Sequence, residues 1–167
     1  YIYGRNARFC IIVLYTGMRI GEAYALTWND IDFKNNTINI NKTMERIRID
    51  DKYQWIIDTP KRPKSIRTIP LSNRAKEQLL YLRTIEPGLH AKEDDHIFVT
   101  ENNIPPSQST VTRTLKAILT RADIESNGFG LHDLRHSFGS MLLQKGWKEN
   151  QPVDIKVISE ILGHEDI

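Results

Sequence analysis

Apolar residues recur at helical spacing from the first position. Ile2, Phe9, Ile12 and Val13 form one stripe, which predicts a helix over Tyr1 to Tyr15. No capping residue precedes it, which implies a chain that starts inside a longer protein. Thr16-Gly17 breaks this helix, and a short one over Arg19 to Ala25 follows with Ile20 and Ala23 inward. The period then changes to two. Ile31-Asp32-Phe33, the turn Lys34-Asn35-Asn36 and Thr37 to Ile40 predict a hairpin. Further strands are predicted at Met44 to Ile49, Gln54 to Asp58 and Ile66 to Ile69, with alternation at Ile47/Ile49 and Ile66/Thr68. After Pro70 the spacing is helical again. Ser72 caps a helix to about Thr84 with Leu79, Leu80 and Leu82 apolar, and Pro87-Gly88 ends that unit. His96 to Val99 reads as a short strand. Pro105-Pro106-Ser107 opens a helix to about Arg121, with Val111, Leu115, Ile118 and Leu119 on one face. Asn127 to Gly130 reads as a loop. Two more helices follow, Leu131 to Lys145 stopped by Gly146 and Val153 to Leu162 stopped by Gly163. The pattern predicts an α+β fold, mainly helical, with a small antiparallel sheet inserted near the N-terminal part.

Composition narrows the class without naming a function. With 167 residues, 40% hydrophobic and 26% charged, the chain suits one globular domain with its own core. The single cysteine, Cys10, excludes a disulfide framework and a cysteine-based zinc ribbon. The longest apolar run, Phe9 to Tyr15, is too short to cross a bilayer, so no membrane partner is expected. The formal charge is +2, but it is unevenly spread. Lys42 to Lys76 holds ten Lys/Arg against four acids, while Lys148 to Ile167 holds two Lys against five acids. The basic stretch is either one face for a polyanion or a solvated strand surface.

Three short segments carry candidate chemistry. In Leu131-His132-Asp133-Leu134-Arg135-His136, His132 and Arg135 are three apart and share a helix face. That pair suits an anion that needs proton transfer: a guanidinium forks two phosphate oxygens, and an imidazole takes or gives a proton near neutrality. In Thr16-Gly17-Met18-Arg19-Ile20-Gly21-Glu22, Arg19 stands at a helix entry, and Glu22 is placed to hold it. In Ile161-Leu162-Gly163-His164, a histidine follows a helix end. Lys61 lies between two predicted strands, in Thr59-Pro60-Lys61-Arg62-Pro63-Lys64.

Taken in order, these segments resemble the tyrosine recombinase (phage integrase) family. Its pattern is T-G-x-R-x-x-E, a Lys in a β-hairpin turn, H-x-x-R, L-G-H and then a nucleophilic Tyr. The chain has all but the last, over its whole length. The style of Thr59 to Leu71 is closest to integrases of Gram-positive prophages and conjugative transposons. The resemblance implies a catalytic domain, spanning residues 1–167, without its N-terminal DNA-binding domains. It implies that Arg19 and Arg135 clamp the scissile phosphate, His132 assists proton transfer at the nucleophile, and His164 donates a hydrogen bond to the phosphate. Lys61 would protonate the departing 5′ oxygen, with Lys64 a competitor for that role, and Glu22 would support Arg19. Lys42, Arg46, Arg62, Lys64 and Arg67 would meet the DNA backbone. No metal and no cofactor are implied. The partners would be double-stranded attachment-site DNA, other protomers in a synaptic tetramer and DNA-bending accessory factors, in a bacterial cytoplasm at the nucleoid. The nucleophilic Tyr is expected about nine residues after the L-G-H histidine, beyond Ile167; Tyr15, Tyr24, Tyr53 and Tyr81 do not occupy that place.

Two other readings compete. His132 and His136 resemble the H-E-x-x-H zinc helix with Asp133 in the glutamate position, although Arg135 would sit beside the dication. In the recombinase reading His136 is instead a packing residue. The Thr16-Gly17 break also invites a non-catalytic helix-turn-helix DNA-binding module. The carboxylate pairs Asp30/Asp32 and Asp94-Asp95 read as solvated or turn-forming rather than as a two-metal site.

Overall fold

The structure is a computed structural model that describes residues 2–59, 65–85, 92–145 and 153–163. Its centre is α1 (Ile2–Thr16), which packs against three later helices, α3 (Asn73–Ile85), α4 (Gln108–Arg121) and α5 (Leu131–Lys145). Phe9, Cys10, Ile12 and Val13 are all buried, so the helix is covered on more than one side. Ser72 and Ser107 cap α3 and α4 by accepting the N–H groups of Ala75 and Thr110, each at 3.3 Å. The Ser72 cap stands where the sequence places it, and α4 starts after Ser107 as expected. On α3 the buried face is Ala75, Leu79 and Leu82, and Leu80 points outward.

The predicted early hairpin forms as β1 (Ile31–Asp32) and β2 (Thr37–Ile40). Asp32 Oδ1 closes its turn by accepting the N–H groups of Lys34 and Asn35 at 2.9 and 2.8 Å. β5 (Arg67–Pro70) adds to the other edge of β2, with Ile38 opposite Ile69 and Ile40 opposite Arg67. Between β2 and β5 the chain makes a separate hairpin, β3 (Thr43–Ile49) and β4 (Lys52–Asp58). Its turn residues Asp50 and Asp51 both have positive φ, 46° and 62°. The β region is therefore two antiparallel sheets rather than one.

The separation occurs at Asn41-Lys42, whose side chains turn to Asp30. Asp30 Oδ1 accepts from Asn41 Nδ2 at 2.9 Å, and Oδ2 accepts from Lys42 Nζ at 2.6 Å. Oδ2 also takes the backbone N–H and the hydroxyl of Thr27 at 2.9 and 2.7 Å. Asp30 is buried, not solvated as the sequence suggests, while Asp32 is a turn former as expected. Burial pushes the Asp30 carboxyl up, but Lys42 and Thr27 outweigh it and hold it below its ordinary range.

The strand expected at His96 to Val99 is absent from the described structure: one bridge, Thr27 to His96, the bond from Ile97 N–H to Leu26 O and that from Arg5 Nη1 to Val99 O at 3.3 Å tie the segment down. Ile97, Phe98 and Val99 are all buried in succession, so the segment fills the core without alternating. An aromatic run joins core to hairpin: Phe98 meets Phe9 at 4.8 Å, Phe9 meets Tyr24 at 5.0 Å, and Tyr24 meets Trp55 at 5.0 Å.

The end of α1, the middle of α5 and the end of α6 meet at Gly17. Its N–H closes α1 on Val13 O at 2.9 Å, its φ is +67°, and a Cβ there would overlap Phe138 of α5 and Leu162 of α6 (Ile155–Leu162). Gly17→Ala therefore combines left-handed strain with overpacking. The expected cost is on the order of 3 kcal/mol, read as a lower denaturation midpoint with unchanged slope. A variant as stable as the parent would contradict this packing.

Candidate active site

Glu22 is the centre of the candidate site. It is the third residue of α2 (Ile20–Ala25), where Oε2 accepts the Arg19 backbone N–H at 2.7 Å, as in half of a capping box. Oε1 accepts from Arg19 Nη1 at 2.9 Å. Arg67 of β5 forks the same carboxylate, Nη1 to Oε1 at 2.8 Å and Nη2 to Oε2 at 2.9 Å. Burial pushes the Glu22 carboxyl up, yet the bonds and charge of Arg67, with those of Arg19, prevail and hold it below its ordinary 4.5. Glu22 is thus an anion at neutral pH.

The end of α6 supplies the opposite wall. Three successive carbonyls each accept from a different arginine: Ile161 O from Arg67 Nε at 2.6 Å, Leu162 O from Arg135 Nη2, and Gly163 O from Arg19 Nη2 at 2.9 Å. The last carbonyls of a helix lack intrahelical donors and carry the negative end of its dipole, so guanidiniums suit them. Gly163 ends α6 at φ +66°, and a Cβ there would stand 3.3 Å from Arg67 Nη1. Arg135, on α5, also donates from Nη1 to Gly17 O at 2.8 Å, which ties the end of α1 into the same cluster.

Arg135 is buried, whereas the Arg19 side chain is 41% exposed. Burial and the nearby Arg19 charge lower Arg135 to about 10, with Glu22 acting in the other direction. It remains a cation at neutral pH. Three guanidiniums around one carboxylate leave a surplus of positive charge, and Arg19 presents part of it to solvent. Beside Arg19 lies an open groove of about 520 Å³, walled by Arg46, Tyr53 and Trp55 of the hairpin and by Ser107 and Ser109 at the start of α4.

The expected site residues divide clearly. Arg19, Glu22 and Arg135 come together. His132 is exposed on α5, one turn before Arg135. Lys61, Arg62, Lys64 and His164 lie outside the described residues. Arg46 is exposed, with its guanidinium 4.5 Å from the Tyr53 ring. Lys42, expected on DNA, has its ammonium in the Asp30 pair instead, its side chain 25% exposed. Arg67, also expected on DNA, points inward and is 8% exposed. The alternation was there to find this: Arg67 is two residues from the buried Ile69 and shares its face, while Ile66 is exposed. The inward face is Arg67/Ile69, not Ile66/Thr68.

His136 is not a packing residue: it is exposed, its ring edge-to-face with His132 at 4.7 Å between centroids. Among the described residues no group of three His, Cys, Asp or Glu converges, so the zinc-helix reading finds no third ligand there. The helix-turn-helix reading fails on burial. Four of the six residues of α2 are buried, and the helix packs against β3, so it is not free to enter a groove of DNA.

The pKa of Glu22 sets an acid limit. Its stabilisation is complete above the ordinary value of 4.5 and is lost as pH falls through its lower folded value. Denaturation midpoints measured from pH 6 downward should fall below about 4.5, and less steeply in Glu22→Gln. The variant itself should lose about 3–5 kcal/mol at pH 7, because it leaves buried guanidiniums without their counterion. Equal acid slopes in the two proteins would count against this account of Glu22.

Comparison with known proteins agrees with this geometry. Residues 2–167 match the phage integrase family. A XerC-like tyrosine recombinase of Caldanaerobacter subterraneus is 32% identical over 173 residues, covering 91% of this chain and 40% of that protein. The ICEBs1 integrase of Bacillus subtilis is 28% identical, covering 95% of this chain and 41% of that protein. The chain thus spans about two-fifths of the length of these relatives. Among solved structures, the Tn1549 transposon integrase in complex with circular intermediate DNA shares the fold with a TM-score of 0.74 at 22% identity, covering 95% of this chain and 51% of that one. XerA recombinase gives 0.70 at 23% identity, covering 98% of this chain and 49% of that one. With a family match over nearly its full length, the chain belongs to the phage integrase family, the tyrosine recombinases.

Proposed function

We propose that this chain is the catalytic part of a site-specific DNA recombinase that integrates or excises a mobile element. One observation carries the reading. Arg19 and Arg135, 116 positions apart, are fixed by the adjacent carbonyls of Gly163 and Leu162 in a cluster with surplus positive charge. Such a pair suits the non-bridging oxygens of a phosphodiester and the charge that gathers on them in a five-coordinate transition state. The neighbouring structures solved with DNA, of the Tn1549 integrase and of XerH, support a duplex as the partner.

The chemistry conserves phosphoester bonds. A tyrosine oxygen attacks phosphorus and loses its proton; a 3′-phosphotyrosyl bond forms as the bond to the 5′ oxygen breaks; that oxygen leaves with a proton. Attack by a 5′ hydroxyl reverses the sequence on a new partner strand. His132, exposed beside Arg135, serves the proton at the nucleophile. Lys61 or Lys64 serves the leaving oxygen, and His164 adds a donor to the phosphate. The nucleophilic tyrosine lies outside residues 1–167. The groove beside Arg19 receives the strand flanking the scissile phosphate, with Arg46 at its wall. Protomers assemble as a synaptic tetramer on the paired DNA sites.

Two experiments test this reading. In the complete gene product, Arg19→Ala should lower single-turnover strand cleavage by about a hundredfold or more, with DNA affinity changed far less. Loss of affinity with no cleavage in the parent protein would make the chain a binding module. Residues 1–167 alone should bind duplex DNA more weakly as salt rises. They should also form no covalent adduct with a suicide substrate; an adduct would put the nucleophile inside this sequence.

A further inference from the structure

The guanidinium of Arg67 joins Glu22 to the end of α6, yet it is turned away from solvent. Its fork closes on Glu22 at 2.8 and 2.9 Å, and Glu22 in turn holds both the side chain and the backbone N–H of Arg19. Its Nε holds Ile161 O at 2.6 Å, two residues before the carbonyl that takes Arg19. Its Nη1 also reaches Ser65 O at 3.1 Å, at the near end of the segment that carries Lys61 and Lys64. Gly163 lies against the same guanidinium, with space for a Cβ only 3.3 Å from Nη1.

We propose that Arg67 is a positioning residue for strand cleavage: it sets the place of Arg19 by orienting Glu22 and by holding Ile161 O at the end of α6, whose Gly163 carbonyl takes Arg19, and it makes no contact with DNA. The inference rests on the recombinase reading for the role of Arg19 as a phosphate clamp. The geometry explains why an arginine is needed. Only a planar fork engages both oxygens of Glu22 and still has an Nε–H left for Ile161 O; a lysine ammonium offers a single point of charge. With both Glu22 oxygens tied to Arg67, the carboxylate has one orientation, and the bond from Arg19 Nη1 finds its acceptor in a fixed place. Displacement of a clamp by about an ångström is enough to cost roughly a hundredfold in rate.

The test uses Arg67→Lys and Arg67→Gln in the complete recombinase, with thermal melts confirming that at least one folds. Nitrogen-detected spectra of arginine side chains should show the Arg19 Nε–H resonance shifted in Arg67→Lys, without DNA and without any need for activity. An unmoved resonance overturns the proposal even if the parent protein cleaves nothing; a parent that cleaves nothing refutes the recombinase reading alone. The salt dependence of duplex binding should keep its slope. A slope shallower by about one would mean that Arg67 is a phosphate contact, and would also overturn the proposal. Single-turnover cleavage should fall about tenfold to a hundredfold on a normal phosphodiester, and much less on a neutral methylphosphonate at the scissile position. Equal losses on both substrates would show a purely structural role and end the proposal.

Discussion

A carboxylate held among guanidiniums governs this site. Glu22 alone is costly to bury, and three arginines alone would repel one another; each arrangement is stable only with the other. The pairing is not a closed neutral unit. Arginines outnumber the carboxylate, and backbone carbonyls, which carry partial rather than full charge, hold the excess cations without neutralising them. A phosphate can still be drawn to such a site, because its counterion is incomplete by construction.

The secondary structure was largely legible because it depends on local signals. Ser72 caps the helix it was expected to cap, Ser107 stands at the expected start of its helix, Gly163 ends its helix, and Asp32 closes its turn. The break in the sheet at Asn41-Lys42 was not legible. It depends on Asp30, eleven and twelve residues earlier, whose carboxylate collects those side chains only after the chain has folded back. His96 to Val99 misled for a related reason: three strand-forming residues in a row, Ile97, Phe98 and Val99, also suit an extended core filler, and only the availability of a partner strand decides between them.

At the candidate site, the family's motifs were readable as an ordered set, and Arg19, Glu22 and Arg135 lie in one cluster. Two basic residues expected on DNA but paired with acids inside the fold show the limit of reasoning from charge. Lys42 and Arg67 fall in a basic stretch, and by composition nothing separates them from Arg46, which is exposed. What separates them is an inward acid within reach of each. For Arg67 the strand period already held the answer, since Ile69 and Arg67 must share a face. For Lys42 no sequence period applies, and only the tertiary contact reveals it.

The short length of α6 gives the three-arginine grip on its end a thermodynamic meaning. Eight residues are too few to persist as a helix on their own. Its last turn is held by the guanidiniums of the candidate site, so folding of the helix end and assembly of that cluster are one equilibrium. Amide protons of that turn are therefore linked to the arginines: any ligand that steadied Arg19 and Arg135 would also slow hydrogen exchange at the helix end.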